Sequence, residues 1–565
     1  MSNLVRELLS KRGITLEEEV ERFLHPRYEE DTHSPFLLQN IDQAVARVLN
    51  AIENNERIAI YADFDCDGIP GAALLSDFFK KIKYDNVEVY IPHRDREGYG
   101  FHLEAIDELS ESGVQLIITV DVGTNAVAAV LHAKEKGIDC IVTDHHEILG
   151  ELPACIVLNP KFPSTSSGQV AYPFPDLCGA AVAFKLVQAM LGEGKKRTIE
   201  SFAKITDGWE KWLLDLVAIA TVADLVPLVG ENRVLAHYGL RVLRKSPRMG
   251  LVALCNRLRL RKSELTEDDI GFSIAPRINA ASRMDEPEFA FRLLTTHDRE
   301  EAEKIAAHLE ELNARRKGVV SGIVRQAKKI VRERFRPEEK IVAFGNPEWK
   351  PALLGLAANS IMEARGGLVC LWGRDAEGRL KGSCRSDGSI SVVDLFTSAR
   401  DAFVEFGGHE KSGGFSVSHD RVHTLHESLA AAGEKLAGDA REIEVRSHDA
   451  IIALSEITRP LLEEVSTLAP FGIGNPKPLF SIAALTVSSV KRFGKDQNHL
   501  EVVVSCARTG ISMRAFDFFR SPEDFTAAPQ IGNRARLLAS VERDTFRGGL
   551  ALRLADVLPD ARILS

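Results

Sequence analysis

No two cysteines in this 565-residue chain are spaced as CxxC; the eight present are scattered from Cys66 to Cys506. That pattern excludes a secreted disulfide framework and a zinc finger. No apolar run approaches the roughly 18 residues needed to cross a bilayer. The N-terminal Met1-Ser2-Asn3-Leu4-Val5-Arg6-Glu7 lacks the basic and apolar regions of a secretory signal. A reducing cytoplasm and no membrane are therefore expected. Basic charge is not in excess either: the net charge is −10, which argues against an all-over nucleic-acid coat but leaves room for a local basic track. Gly194-Lys195-Lys196 lacks the upstream Gly and the following Ser or Thr of a phosphate loop, so no ATP motor is indicated.

What the chain does have is Asp63-Phe64-Asp65-Cys66-Asp67-Gly68. The apolar run Ile58-Ala59-Ile60-Tyr61 before it reads as a buried strand, and Ile69 to Leu75 after it as a helix start. Carboxylates at alternate positions where a strand ends project to one side of the chain. Unpaired, they repel and raise one another's pKa values. A divalent cation removes that conflict, and oxygen ligands suit magnesium or manganese. The bland alternative is a solvated acidic turn.

At about 100–200 residues per domain the length allows three or four domains. Residues 1–50 are helical in pattern. Strands are predicted at Arg57–Asp63, Val87–Pro92, Leu116–Asp121, Asp139–Asp144 and Ala154–Asn159, with helices between them such as Ala126–Lys136. This alternation implies a mainly parallel sheet covered on both faces. Asn159–Pro175 reads as a loop. Apolar spacing becomes helical from Cys178 to about Lys245, and again from Asp298 to Phe335, a run long enough to connect two lobes. A second strand–helix lobe follows from about Glu339. From about Glu444, strand patterns such as Leu500–Val504 and Arg536–Val541 suggest a small β-barrel or sandwich.

Further acids stand where strands end. Ile117 to Val120 ends in Asp121, and Cys140 to Thr143 ends in Asp144-His145-His146. In open α/β sheets the ligand crevice lies beyond the carboxyl ends of the strands. Asp63, Asp65, Asp67, Asp121, Asp144, His145 and His146 are therefore expected to converge on one crevice. A lone buried Asp or His is usually a hydrogen-bonded core group; three strand ends supplying such groups to one edge are not. Asp224 ends the apolar helical run from Leu216 to Ala223, where an unpaired carboxylate is costly to bury. It is the candidate for the final ligand of a two-metal site.

On these residues the chain resembles the DHH phosphoesterase superfamily. Asp63–Gly68 is similar to its first motif and Asp144-His145-His146 to its namesake triplet. Further segments extend the resemblance over nearly the whole chain, toward the bacterial single-stranded-DNA exonucleases of that superfamily. They include Asp215–Ala218, Gly230–Arg233, Ala275–Met284, Lys381–Ser386, Phe406–His409 and Pro470–Pro476. The resemblance implies an α/β fold: a DHH domain with a parallel sheet, a long connecting helix, a second α/β domain of the DHHA1 type and a C-terminal OB-fold barrel. The boundaries taken are 1–50 for an N-terminal helical segment, 51–296 for the DHH domain, 297–335 for the connecting helix, 336–440 for DHHA1 and 441–565 for the OB-fold.

It also implies two manganese or magnesium ions, held by Asp65, Asp67, Asp121, His145 and Asp224, with Asp63 and His146 as ligand or close support and Asp121 bridging. Arg94, Ser383 and Arg385 match positions that receive the 5′ end and its phosphate. Arg277, Asn279 and His409 match positions along the strand path and the scissile phosphate. The implied activity is metal-dependent hydrolysis of single-stranded DNA from the 5′ end, in repair and recombination. Implied partners are single-stranded DNA, a RecQ-type helicase and the single-strand-binding protein, met by a monomer. The alternative is a DHH phosphodiesterase acting on short oligonucleotides or cyclic dinucleotides, but such proteins usually end after DHHA1. A metal-dead DNA-binding scaffold is disfavoured by the intact acids. Three departures stand out: Ser282 for the family's Gly, Val122 for its Asn, and Lys350-Pro351-Ala352-Leu353 for its His-x-Gly-Val.

From Lys477 to Ser565 there are 13 Lys and Arg against 9 Asp and Glu, unlike the acidic whole. Phe493, Phe516, Phe518, Phe519 and Phe546 stand near Lys491, Arg492, Lys495, Arg514, Arg520, Arg543 and Arg547. Aromatic platforms with basic neighbours hold single strands on OB-folds; the alternative is that these Phe residues fill the barrel core. His419, His423 and His426 fall at helical spacing, but without acids in register a solvated helix face is expected.

Overall fold

The computed structural model describes residues 1–164, 170–284, 286–436, 447–494, 497–544 and 547–560. Lys495, Phe546 and the boundary at residue 440 lie outside the described residues. Two compact units are present: His33–Val226 with Tyr238–Glu444, and Met1–Thr32 with Pro227–His237 and Val445–Ser565.

The larger unit begins with β1 (Ile58–Ala62), β2 (Val87–Tyr90), β3 (Leu116–Val120), β4 (Asp139–Thr143) and β5 (Ile156–Leu158), all parallel in the order β2-β1-β3-β4-β5. Residues of β1 and β3 are buried throughout, which is why they read as unbroken apolar runs rather than as alternating ones. The chain winds outward from β1 to β2 and returns to β3, so β1 and β3 flank the point where strand order reverses. A crevice opens at that point in such sheets. The helix Gly179–Lys196 packs on the sheet and on the helix Gly68–Lys81.

The predicted connector is one helix, Arg299–Arg334, 36 residues long, whose N-cap Asp298 accepts from the N–H groups of Glu300 and Glu301. It leads to a mixed sheet of β6 (Ile341–Gly345), β7 (Leu368–Arg374), β8 (Leu380–Ser386), β9 (Glu405–Gly408) and β10 (Ser412–Val417), ordered β6-β7-β8-β10-β9.

The smaller unit carries β11 (Ala450–Ile451), β12 (Phe480–Phe493), β13 (His499–Ser505), β14 (Ser512–Asp517), β15 (Arg534–Arg543) and β16 (Leu550–Pro559). β12 pairs with both β13 and β15, so the order β12-β13-β14-β16-β15 closes on itself as a five-stranded barrel, leaving no open edge in that ring. Val5, Leu8 and Leu9 from the first helix join Phe480, Ile482, Val502 and Leu537 in its core. Arg233 fastens the unit together: it donates to the Phe23 carbonyl and to the carbonyls of Leu468 and Ala469, and lies 3.6 Å from the Phe23 ring centre. The first 32 residues thus belong with the chain from Val445 onward, a pairing that local patterning does not carry.

Among the described residues no helix is long and apolar enough to cross a membrane. His419 bonds the Gly378 carbonyl and His426 lies 3.4 Å from Glu339; the three histidines form no metal-binding group.

Candidate metal centre

Asp63 to Asp67 form a tight loop between β1 and the helix Gly68–Lys81. Asp65 Oδ1 accepts from the N–H groups of Asp67 at 2.7 Å and Gly68 at 3.2 Å, an aspartate side chain standing in for a turn's backbone acceptor. A Cβ on Gly68 would fall 2.3 Å from the Asp63 carbonyl oxygen, so only glycine closes this loop. Asn279 Oδ1 accepts from the Cys66 N–H at 3.0 Å and braces it from outside. The Asp67 carboxylate accepts from the N–H groups of Gly179 (2.6 Å) and Ala180 (2.7 Å), the first residues of the helix Gly179–Lys196. That is the free N–H end of a helix, where an anion is favoured.

Asp121 follows β3 with φ 61, a left-handed conformation that aspartate tolerates better than most residues. Here too the approach is close: a Cβ on Gly179 would lie 2.6 Å from Asp121 Cβ. Asp224 caps the helix Leu214–Ala223. His145 Nε2 lies 3.2 Å from Asp121 Oδ1, 3.6 Å from Asp67 Oδ2 and 3.6 Å from Asp224 Oδ2.

Among the described residues, donor atoms fall into three groups, each within 4.8 Å: Asp63, Asp65 and Asp121; Asp67, His145 and Asp224; and Asp121, His145 and His146. Asp121 belongs to two of them. Asp63 Oδ1 and Asp121 Oδ1 are buried and accept no hydrogen bond, a costly state for a carboxylate without a cation. Carboxylate oxygens with imidazole nitrogen suit Mn²⁺ or Mg²⁺, so the donors fit the ions expected.

Electrostatics point the same way. Burial first, then neighbouring carboxylates, push Asp63, Asp121 and Asp224 well above the ordinary carboxylate value, and Asp67 to about 7. Burial and the charge on His146 hold His145 down at about 3, leaving a neutral imidazole with a free lone pair. For His146, burial would lower the value, but its 2.7 Å bond to Asp144 outweighs this and raises it to about 9. Asp144 differs from the other acids. Its oxygens are occupied by the N–H groups of Thr124, His145 and His146 and by the His146 ring. It orients the histidines, and it joins none of the metal-binding groups.

These shifts set a pH dependence. A carboxylate whose folded pKa is raised stabilises the fold below its unfolded value, and that contribution is lost as pH rises through the folded value. His146, also raised, acts in the same sense between about 6.5 and 9. His145, lowered, acts oppositely, but only below about 6.5. Metal-free protein should therefore melt lower at about pH 8.5 than at about pH 7, and Mn²⁺ should raise Tm more at the higher pH. Scanning calorimetry checks this; a larger Mn²⁺ shift at the lower pH would contradict it.

The other predicted site residues are placed as follows. The Arg94 guanidinium lies 4.7 Å from the ring centre of Phe64, inside the metal loop. Asp95, its neighbour, pairs instead with Lys350 at 2.7 Å. Arg385 stands on β8 beside Ser383, and its Nη1 donates to the Cys384 carbonyl at 2.7 Å. His409 stacks on His146 with ring centres 6.4 Å apart. Arg277 is held by Glu310 at 2.7 Å and donates to the Ser273 carbonyl.

Arg283, not singled out beforehand, donates to the Ala352 carbonyl at 2.7 Å. Burial first, and then Arg94, Arg316 and Arg385 near it, bring it down to about 9. Burial likewise lowers Arg94 and Arg385. Buried, mutually repelling guanidinium groups are a charge arrangement that an anion would relieve. A second Arg within Ala275–Met284, six residues after Arg277, was the available signal. Of the departures, Val122 packs in the core, Ser282 is buried with its hydroxyl toward the Asn279 carbonyl, and Lys350 takes the ion pair with Asp95.

On the barrel, Phe493, Phe516, Phe518 and Phe519 are absent from the core cluster. With His499 they form a ring-to-ring array that runs from buried Phe516 to Phe519, which is 76% exposed. Arg553 lies over Phe518. Several nearby arginines are committed to acids: Arg514 and Arg547 to Glu501, Arg520 and Arg553 to Asp517. Lys491 and Arg492, next to Phe493 in the chain, are also exposed, with Arg492 3.6 Å from Glu523.

The DHH family, N-terminal domain, matches residues 57–221, and the RecJ OB domain matches residues 448–555. The single-stranded-DNA-specific exonuclease RecJ of Bacillus subtilis is 34% identical over 503 residues, which are 89% of this chain and 61% of that protein. The protein of the same name from Haemophilus influenzae is 30% identical over 540 residues, 92% of this chain and 90% of that one. The crystal structure of RecJ in complex with Mn²⁺ from Thermus thermophilus has a TM-score of 0.78 at 27% identity and covers 99% of this chain and 76% of that one.

Proposed function

The chain belongs to the RecJ family, and from that premise we propose that it is a metal-dependent exonuclease hydrolysing single-stranded DNA from the 5′ end. The observation that carries this is the pair of buried carboxylate oxygens, on Asp63 and Asp121, that accept no hydrogen bond at a site where Asp121 is common to two ligand groups. Domain boundaries are proposed at 51–296 (DHH), 297–335 (connecting helix), 336–440 (DHHA1) and 441–565 (OB-fold), after a helical segment 1–50.

Asp65, Asp67, Asp121, His145 and Asp224 would hold the two Mn²⁺ or Mg²⁺ ions, with Asp63 and His146 as ligand or close support. When bound, such ions supply a water acidic enough to attack phosphorus at neutral pH and positive charge for the leaving oxyanion. The protein's own groups do the rest. His145 enters neutral and needs to lose no proton to ligate. His146, charged and fixed by Asp144, presents a cation beside the reacting phosphate, with His409 stacked against it. Asn279 holds the metal loop in shape, and Arg277 lines the strand path. Arg94, Arg283, Arg385 and Ser383 would take a terminal phosphate dianion through bidentate charge-assisted bonds and a hydroxyl.

The barrel supports a long strand as substrate rather than a dinucleotide. Phe519→Ala should weaken single-strand binding by about 1–3 kcal/mol if its ring carries a base. Lys491→Ala with Arg492→Ala should flatten the plot of log affinity against log salt by about 0.7 for each phosphate no longer neutralised. Fluorescence anisotropy across a salt series reads both; an unchanged affinity and slope in all variants would remove the barrel from DNA binding. A RecQ-type helicase and the single-strand-binding protein are the proposed protein partners of a cytoplasmic monomer. Turnover of a long labelled strand against that of a dinucleotide, with Mn²⁺ present, tests the activity: comparable or better turnover of the dinucleotide would favour a short-oligonucleotide phosphodiesterase.

A further inference from the structure

Gly355 is buried at the fifth position of the 15-residue helix Pro351–Arg365. Alanine is the better residue at such a position, since glycine loses more backbone freedom and adds no packing. No turn or left-handed backbone asks for glycine there. What asks for it is Arg385. A Cβ at Gly355 would lie 2.7 Å from Arg385 Nη2 and 3.3 Å from its Cζ. The guanidinium therefore rests directly on bare helix backbone, while its Nη1 donates to the Cys384 carbonyl at 2.7 Å. One turn earlier the same helix offers the Ala352 carbonyl to Arg283 at 2.7 Å. The first turns of this helix thus back two arginines of the anion site.

We infer that Gly355 is a positioning residue for the 5′-phosphate pocket: its missing side chain seats the Arg385 guanidinium, and a methyl group there displaces it. This rests on the reading of Arg94, Arg283, Arg385 and Ser383 as that pocket. The atoms in conflict are the far end of a flexible side chain, so the fold accommodates alanine while the guanidinium moves off its mark. Gly355 touches neither substrate nor metal ligand and acts only through Arg385.

The test compares full-length wild type, Gly355→Ala, Arg385→Ala and the double variant, each on 5′-phosphorylated and 5′-hydroxyl single strands of one sequence, with Tm measured alongside. The readout is the ratio of kcat/KM on the two substrates. Gly355→Ala should lower that ratio by about tenfold, the worth of one charge-assisted bond, with Tm unchanged or raised. The double variant should show the ratio of Arg385→Ala alone, because the glycine has nothing left to seat. If Arg385→Ala loses the preference and Gly355→Ala keeps it, the inference is wrong and the pocket stands. Equal slowing on both substrates with a lowered Tm would make Gly355 merely structural and also overturn it. If Arg385→Ala itself keeps the preference, the pocket assignment is what fails.

Discussion

Asp121→Ala should reduce hydrolysis of single-stranded DNA by about a thousandfold or more, with little change in fold. Its carboxylate is common to two of the ligand groups, with Asp63 and Asp65 on one side and the histidines on the other. Removing it therefore weakens both cation positions at once, and several kcal/mol of charge stabilisation in the transition state goes with them. The fold should survive because Asp121 is a source of strain in the metal-free protein. It is buried and its Oδ1 has no hydrogen-bond partner, a cost that outweighs alanine's poorer tolerance of the φ of 61 at this position. Metal-free Asp121→Ala should melt no lower than the wild type, and Mn²⁺ should no longer raise its Tm. A variant that keeps more than about a tenth of the wild-type rate would remove Asp121 from the centre of the chemistry. Asp67→Ala should lose activity similarly but fold less well, because it also leaves the Gly179 and Ala180 N–H groups without their acceptor.

The second large effect concerns the end of the strand. Arg385→Ala should slow cleavage of 5′-phosphorylated strands by about a hundredfold and of 5′-hydroxyl strands by about tenfold or less. A terminal phosphate carries up to two charges and three free oxygens, whereas an internal diester carries one charge and continues into chain. A cluster of buried guanidinium groups would discriminate between them on charge and on space. Arg94 comes from the first lobe and Arg385 with Ser383 from the second, and both lobes lie in one unit. Lys350 bound to Asp95 adds a tie between those lobes at this place. Equal slowing on the two substrates would put the pocket elsewhere.

Much of the catalytic unit is legible in the residues because of how parallel sheets bury their strands. With both faces covered, β1 and β3 are apolar at nearly every position, so the first acid after each run marks its end and its exit into the crevice. Asp63, Asp121 and Asp144 were each locatable this way, and Asp224 by the same break at the end of an apolar helix. Chemistry within that set was less legible. Asp144 sits in register with the other acids, yet its oxygens are consumed by hydrogen bonds, which depends on how the chain turns after β4. The cradle of Asp67 is made of the N–H groups of Gly179 and Ala180, and backbone donors leave no side-chain signature. The docking of residues 1–32 against the barrel is a contact of high sequence separation, carried by Arg233 and by Val5, Leu8 and Leu9. Nothing in the local periodicity of a short amphipathic helix says which surface it covers. On the barrel the aromatic residues could be counted, but alternation in strands that bend and close does not say which face each takes. The structure buries Phe516 and leaves Phe493 and Phe518 partly exposed and Phe519 exposed.

Degradation of a long single strand blocked at one end or the other is the most direct measurement of a two-cation, 5′-directed exonuclease. Purified protein is given Mn²⁺ and an internally labelled strand with a 5′ block, a 3′ block or neither, and products are resolved by length over time. The expected result is loss of the unblocked and 3′-blocked strands from their 5′ ends, survival of the 5′-blocked strand, and no cleavage of any of them once the metal is chelated. Degradation that a 3′ block stops and a 5′ block does not, or that persists in the presence of a chelator, would contradict it.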